Sequence, residues 1–160
     1  MSTKHERYET LLPQAEALLA GETDPVARMA NLAALIHTTF GFWWTGFYRV
    51  CPTGRSGADS GAAGAGILLL GPFQGPVACT RIPYGKGVCG TAWKEARTVV
   101  VPDVEQFPGH IACSSESRSE IVVPVIREGR VTAVLDIDSR SLNTFDEVDA
   151  RYLERLAALL

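Results

Sequence analysis

No run of apolar side chains in the 160 residues approaches the ~20 that a helix needs to cross a bilayer. The opening stretch, Met1 to Glu9, is polar and mixed in charge, without the apolar segment of a secretory leader. A cytoplasmic location, with thiols held reduced, is the resulting expectation. Basic charge is also scarce. Fifteen Lys and Arg against 18 Asp and Glu leave a net charge of −3, which offers no surface for gripping a phosphate backbone. Neither nucleic acid nor a membrane is an expected partner. Cysteine is present at four positions, Cys51, Cys79, Cys89 and Cys113, but never as the closely spaced pairs of structural zinc sites. No internal repeat is visible, and one domain covering residues 1–160 is expected from the length.

What is present reads as alternating helix and strand. Tyr8, Leu11, Leu12, Ala15, Leu18 and Leu19 recur at helical spacing, with Gly21 placed to end the helix. Asp24 followed by Pro25 opens a second helix, whose buried stripe runs from Val26 through Met29, Ala30 and Ala33, and Gly41 closes it. Phe42 to Val50 reads as a strand rich in aromatic and β-branched residues. Residues 51–66 are mostly Gly, Ala, Ser and Pro and are expected to form a flexible loop insertion. Ile67 to Leu70 and Val77 to Ile82 read as strands, separated by Gly71-Pro72 and Gly75-Pro76. A glycine-rich turn at Gly85 to Gly90 leads into a short helix, and Pro102 to Arg118 forms a long aperiodic excursion. Glu120 to Ile126 and Arg130 to Ile137 form a hairpin about Glu128-Gly129. Thr144, reaching toward Glu147, is read as the capping box of the last helix. This order predicts an α+β fold: one antiparallel sheet, terminal helices on one face, and the short helix and excursion roofing a pocket on the other.

Chemistry concentrates in two sets of residues. Side chains alternate along a strand, so Asp136 and Asp138 share a face with Val134, while Leu135 and Ile137 point the other way. With Glu120 opening the neighbouring strand, three carboxylates gather at one sheet end, which suits an ammonium group or an oxygen-bound metal. Among the thiols, Cys51 has no evident role. Cys79 is read as lying in a strand, where a buried small hydrophobe is the plain interpretation. Cys89 begins a helix, a position that lowers a thiol pKa. Cys113 is the most telling, since a thiol on a loop fills no core. Ser114, Ser115, Ser119 and free backbone N–H groups nearby could bind an oxyanion. His110 is read as a loop hydrogen-bonding residue. A zinc site from His110, Cys113, Cys79 and Cys89 has the right ligand types but the wrong spacing, so no metal is expected. Trp43, Trp44, Phe47 and Tyr48 crowd one strand, and which alternate set faces the pocket stays open.

These residues together resemble the free methionine-R-sulfoxide reductases, a family of single GAF domains. The likeness spans nearly the whole chain and is densest over Leu70 to Gly75, Cys79 to Pro83, Gly85 to Ala92, Gly109 to Cys113, Ser119 to Val122 and Val134 to Ser139. A generic GAF domain would lack the three cysteines. The resemblance implies Cys113 as nucleophile, Cys79 as principal resolving thiol and Cys89 as an alternative one. It also implies Glu120, Asp136 and Asp138 as substrate-binding carboxylates, with Trp44 and Tyr48 on the pocket wall. The implied substrate is free methionine R-sulfoxide. No bound cofactor is implied, only an external dithiol reductant of thioredoxin type. A homodimer is left open. The competing readings are a GAF sensor that binds a small molecule without turnover and a dimerising structural module.

Overall fold

In the computed structural model, which describes residues 1–52 and 66–160, six strands form one antiparallel sheet in the order β3-β2-β1-β6-β5-β4. The elements along the chain are α1 (Lys4–Leu19), α2 (Pro25–Phe40), β1 (Trp44–Cys51), β2 (Ile67–Gln74), β3 (Arg81–Pro83), α3 (Gly87–Glu95), β4 (Val99–Val101), β5 (Ser119–Arg127), β6 (Arg130–Ser139) and α4 (Glu147–Ala157). The loop insertion read from residues 51–66 lies, apart from its ends, outside the described residues. No helix among the described residues is long and apolar enough to cross a membrane.

Local chemistry sets most boundaries. The Asp24 carboxylate accepts from the Ala27 N–H ahead of Pro25, and Gly41, at φ 69°, closes α2 in the left-handed region. Glu128 and Gly129 both take positive φ, and Arg127 pairs directly with Arg130 across the two-residue turn. The last helix departs from expectation. Its cap is Asp146, which accepts from the N–H groups of Val148 and Asp149 and forms a capping box with Asp149. Thr144 is occupied elsewhere, donating to Ser139 Oγ at 2.7 Å.

The central correction concerns β2. Gly71-Pro72 is not a break. Gly46 pairs with Phe73 and Tyr48 with Leu70, so two residues of β2 oppose one of β1. Gly71 and Pro72 form that bulge, where a missing N–H and a missing side chain are tolerated. With β2 running on to Gln74, residues 75–80 become a loop and β3 shrinks to Arg81–Pro83. Cys79 therefore lies on this loop rather than in a strand. Side chains of β1 hold the loop instead of a ladder: the Trp44 indole donates to the Pro76 carbonyl at 3.0 Å, and the Tyr48 hydroxyl to the Cys79 carbonyl at 2.9 Å.

Two hydrophobic clusters flank the sheet. On one face α1, α2 and α4 bury Tyr8, Leu32, Ile36, Tyr152 and Leu156 against Phe47, Leu135 and Ile137. Leu18 and Val26, read as part of the buried stripes, are instead exposed. On the other face α3 and the excursion pack Val88, Ala92, Trp93 and Val104 against Trp44, Tyr48, Val122 and Val134. The roofed side expected from the sequence is this second face.

Candidate active site

The β5–β6 register sets the acidic cluster. Glu120 lies opposite Asp138, and Val122 opposite Asp136, while Trp44 and Gly46 of β1 flank the same two aspartates from the other side. A side chain on Gly46 would collide with the Trp44 ring, so glycine here lets that ring lie flat over the strand. Trp44 stacks between Phe73, at 5.2 Å, and Tyr48, at 5.9 Å. The result is an apolar wall beside an acidic floor. This settles the open face of β1: Trp44 and Tyr48 point into the hollow and Phe47 into the helix-covered core. Trp43, just before the strand, also reaches the rim, with the Arg140 guanidinium 3.4 Å above its ring.

The hollow is open at its mouth and is lined by Trp44, Tyr48, Cys113, Glu120, Asp136 and Asp138. Its roof is covalent. Cys79, on the loop after β2, and Cys113, in the excursion, form a disulfide with Cα atoms 5.4 Å apart across 34 residues of sequence. Cys113 lines the hollow together with the three acids, and Cys79 directly follows the lining residue Ala78.

Burial controls the titration of the floor. Glu120 and Asp136 are each 6% exposed. Loss of solvent, reinforced by the Asp138 charge, pushes both carboxyls well above their ordinary range. Asp138 is raised by burial to about 6, with the Ser117 hydrogen bond and the nearby His110 opposing the rise. Ser117 donates to Asp138 Oδ1 at 2.6 Å. Asp136 Oδ1 has no hydrogen-bond partner among the described residues. A buried acceptor left open in this way is a binding position waiting for a donor.

Cys89 contradicts the expectation drawn from its helix position. It sits in the first turn of α3 but is fully enclosed, in hydrogen-bonding range of Asp136. Burial, then the charges of Asp136, Glu120 and Asp138, drives its thiol pKa well upward. Desolvation and three acids outweigh a helix N-terminus worth about 1 kcal/mol. Cys89 Sγ and one oxygen each of Glu120 and Asp136 fall within 4.8 Å of one another. That grouping offers metal-ligand atoms, all of them buried. The zinc grouping weighed from sequence is broken up, because two of its four members are bonded to each other.

The oxyanion donors are also redistributed. Ser119 points away from the hollow and donates to the Ser141 carbonyl at 2.6 Å. Ser115 is exposed and not part of the lining, and the Cys113 N–H already donates to the Ile111 carbonyl at 3.1 Å. Ser114 does line the space. Sequence reasoning passed over Ser117; His110, read as a loop hydrogen-bonding residue, places its Nε2 3.4 Å from Glu120 Oε2. The signal for Ser117 was its place three residues before Glu120 on the chain, which only the strand pairing turns toward Asp138.

Comparison with known proteins agrees with this geometry. The GAF domain profile matches residues 33–160. GAF domain-containing protein A of Dictyostelium discoideum is 51% identical over 158 residues, covering 99% of this chain and 92% of its own. The free methionine-R-sulfoxide reductase of Saccharomyces cerevisiae is 42% identical over 163 residues, covering 98% of this chain and 85% of its own. Among solved structures, the free methionine-R-sulfoxide reductase from Neisseria meningitidis, in complex with its substrate, superposes with a TM-score of 0.89 at 52% identity. It covers 99% of this chain and 89% of its own. The chain therefore belongs to the free methionine-R-sulfoxide reductase family of GAF-domain oxidoreductases.

Proposed function

We propose that this protein reduces the R-sulfoxide of free methionine to methionine, with Cys113 as the attacking thiol. The observation that carries the reading is the Cys79–Cys113 disulfide roofing a hollow floored by Glu120, Asp136 and Asp138. The ammonium of a free amino acid supplies the donor that Asp136 Oδ1 lacks. A methionine within a peptide has no such group. It would leave the buried acid unsatisfied, a penalty of roughly 1–3 kcal/mol or more. The Trp44 and Tyr48 wall receives the apolar methyl and thioether end.

The reaction follows from these roles. Cys113 thiolate attacks the sulfoxide sulfur while a neutral Glu120 carboxyl protonates the sulfoxide oxygen, and the hydroxyl then shifts to the Cys113 sulfur as the transient S–S bond breaks. Methionine leaves, its sulfur reduced, and the oxygen remains on Cys113 as a sulfenic acid. Cys79 condenses with it, giving the disulfide and water. An external dithiol of thioredoxin type reopens the bridge, so no resident cofactor is needed. Cys79 is the better resolving thiol because it lies within bonding reach of Cys113, whereas Cys89 is buried and held protonated by the acids around it.

The test incubates the pure protein with each diastereomer of free methionine sulfoxide and excess dithiol, and counts methionine formed. Turnover of the R form alone is expected. Cys113→Ser should form none, and Cys79→Ser, reduced and then freed of dithiol, about one per enzyme, with a sulfenic acid trapped at position 113. Binding without methionine formation would replace the reading by a sensor role.

A further inference from the structure

We propose that His110 is a positioning residue for the oxygen-transfer step, acting through Glu120 by carrying protons between solvent and that carboxyl. The inference rests on the function proposed above and adds a residue to it. Its geometry is specific. His110 Nε2 lies 3.4 Å from Glu120 Oε2, and the two side chains are 15% and 7% exposed, so the imidazole is the partner with more access to solvent. The His110 N–H donates to the Phe107 carbonyl at 3.2 Å, which fixes this part of the excursion over the hollow. A separation of 3.4 Å is long for a hydrogen bond, as is common at reacting sites before substrate closes them.

The other titratable groups facing His110 cannot take this role. Asp136 and Asp138 of β6 must stay anionic to hold an ammonium. Cys89 of α3 holds its proton too tightly. The Tyr48 hydroxyl of β1 is spent on the Cys79 carbonyl. No Lys or Arg lines the space among the described residues. Burial moves the two partners in opposite directions: it lowers His110, with Asp138 pulling the other way, and raises Glu120 so that this carboxyl holds a proton to give.

Protons balance around the step. The sulfoxide oxygen takes one from Glu120, Glu120 takes one from an imidazole nitrogen, and the other nitrogen takes one from water. Cys113 returns one to solvent on forming its thiolate. Two electrons pass from the Cys113 sulfur to the sulfoxide sulfur, and the oxygen moves with the new S–O bond.

Single-turnover rates on the reduced protein, with free methionine R-sulfoxide and rapid quenching, test the relay. His110→Ala should slow methionine formation at least about tenfold, with KM within about twofold, and added imidazole should restore part of the rate. His110→Gln keeps a hydrogen bond but cannot relay, and should stay slow. A His110→Gln rate equal to wild type overturns the proposal. So does an imidazole-insensitive His110→Ala whose KM rises, since the residue would then only shape the pocket. Wild-type protein that forms no methionine removes the functional reading and the relay together, whereas active wild type matched by His110→Gln removes the relay alone.

Discussion

The two faces of the sheet are made from alternate residues of the same strands, yet they obey opposite rules. On the helix-covered face Phe47, Leu135 and Ile137 are fully buried among aliphatic and aromatic side chains. One residue away, Asp136 is buried too and Asp138 half-buried, on a face that no Lys or Arg lines among the described residues. The first face stabilises the fold through burial of apolar surface. The second costs stability, because three enclosed carboxyls must hold protons or repel one another. The period of two in a strand is what keeps these demands apart.

Substitutions that act on one face and spare the other break this comparison if it is wrong. The largest effect is expected at Cys113, where Ser should lower turnover by on the order of 10⁴-fold or more while thermal melting of the reduced protein barely moves. Leu135→Ala should do the reverse. It should cost roughly 2–5 kcal/mol of stability, read by denaturant unfolding, with KM unchanged at temperatures where the protein stays folded. Asp136→Asn is the sharpest case, since it should harm function and help the fold. Substrate use should drop about 100-fold, as expected for losing a buried charge-assisted contact, and Tm should rise by a few degrees. A fall in both would mean Asp136 serves the structure.

Asp138 extends the contrast to pH. Under the proposed function its anion binds the ammonium, so kcat/KM should fall as the solution is acidified through about 6. Its folded pKa is raised above the ordinary 3.8, so folding favours the protonated form. That contribution to stability is full below the ordinary value and is lost as pH rises through about 6. Activity and stability should thus move in opposite directions across this interval, and Asp138→Asn should flatten both curves. The smallest effect belongs to the helix face: Asp146→Ala removes the α4 cap and should cost about 1 kcal/mol with turnover unaffected.

Much of this was legible in the chain. Alternation alone placed Asp136 and Asp138 against Leu135 and Ile137, and Glu128-Gly129 located the hairpin, because both signals are local. The errors arose where a neighbouring strand decides. Gly71-Pro72 looks like a stop until β1 is set beside it, and only then does it become a bulge that moves Cys79 from a strand onto the roof loop. Cys89 was misjudged for the same reason: its helix position is visible in sequence, but the acids enclosing it arrive from β5 and β6. His110 looks like any loop histidine until the excursion folds back over Glu120. The pairing of Cys79 with Cys113 came from family resemblance, not from any rule of spacing.

The most direct measurement mixes reduced protein with free methionine R-sulfoxide and no reductant, then counts methionine and maps the disulfides by mass spectrometry. One methionine per protein molecule is expected, together with a new bond between Cys79 and Cys113 and an unmodified Cys89. A product count near zero, or a bridge that joins Cys113 to Cys89 instead, would contradict the account.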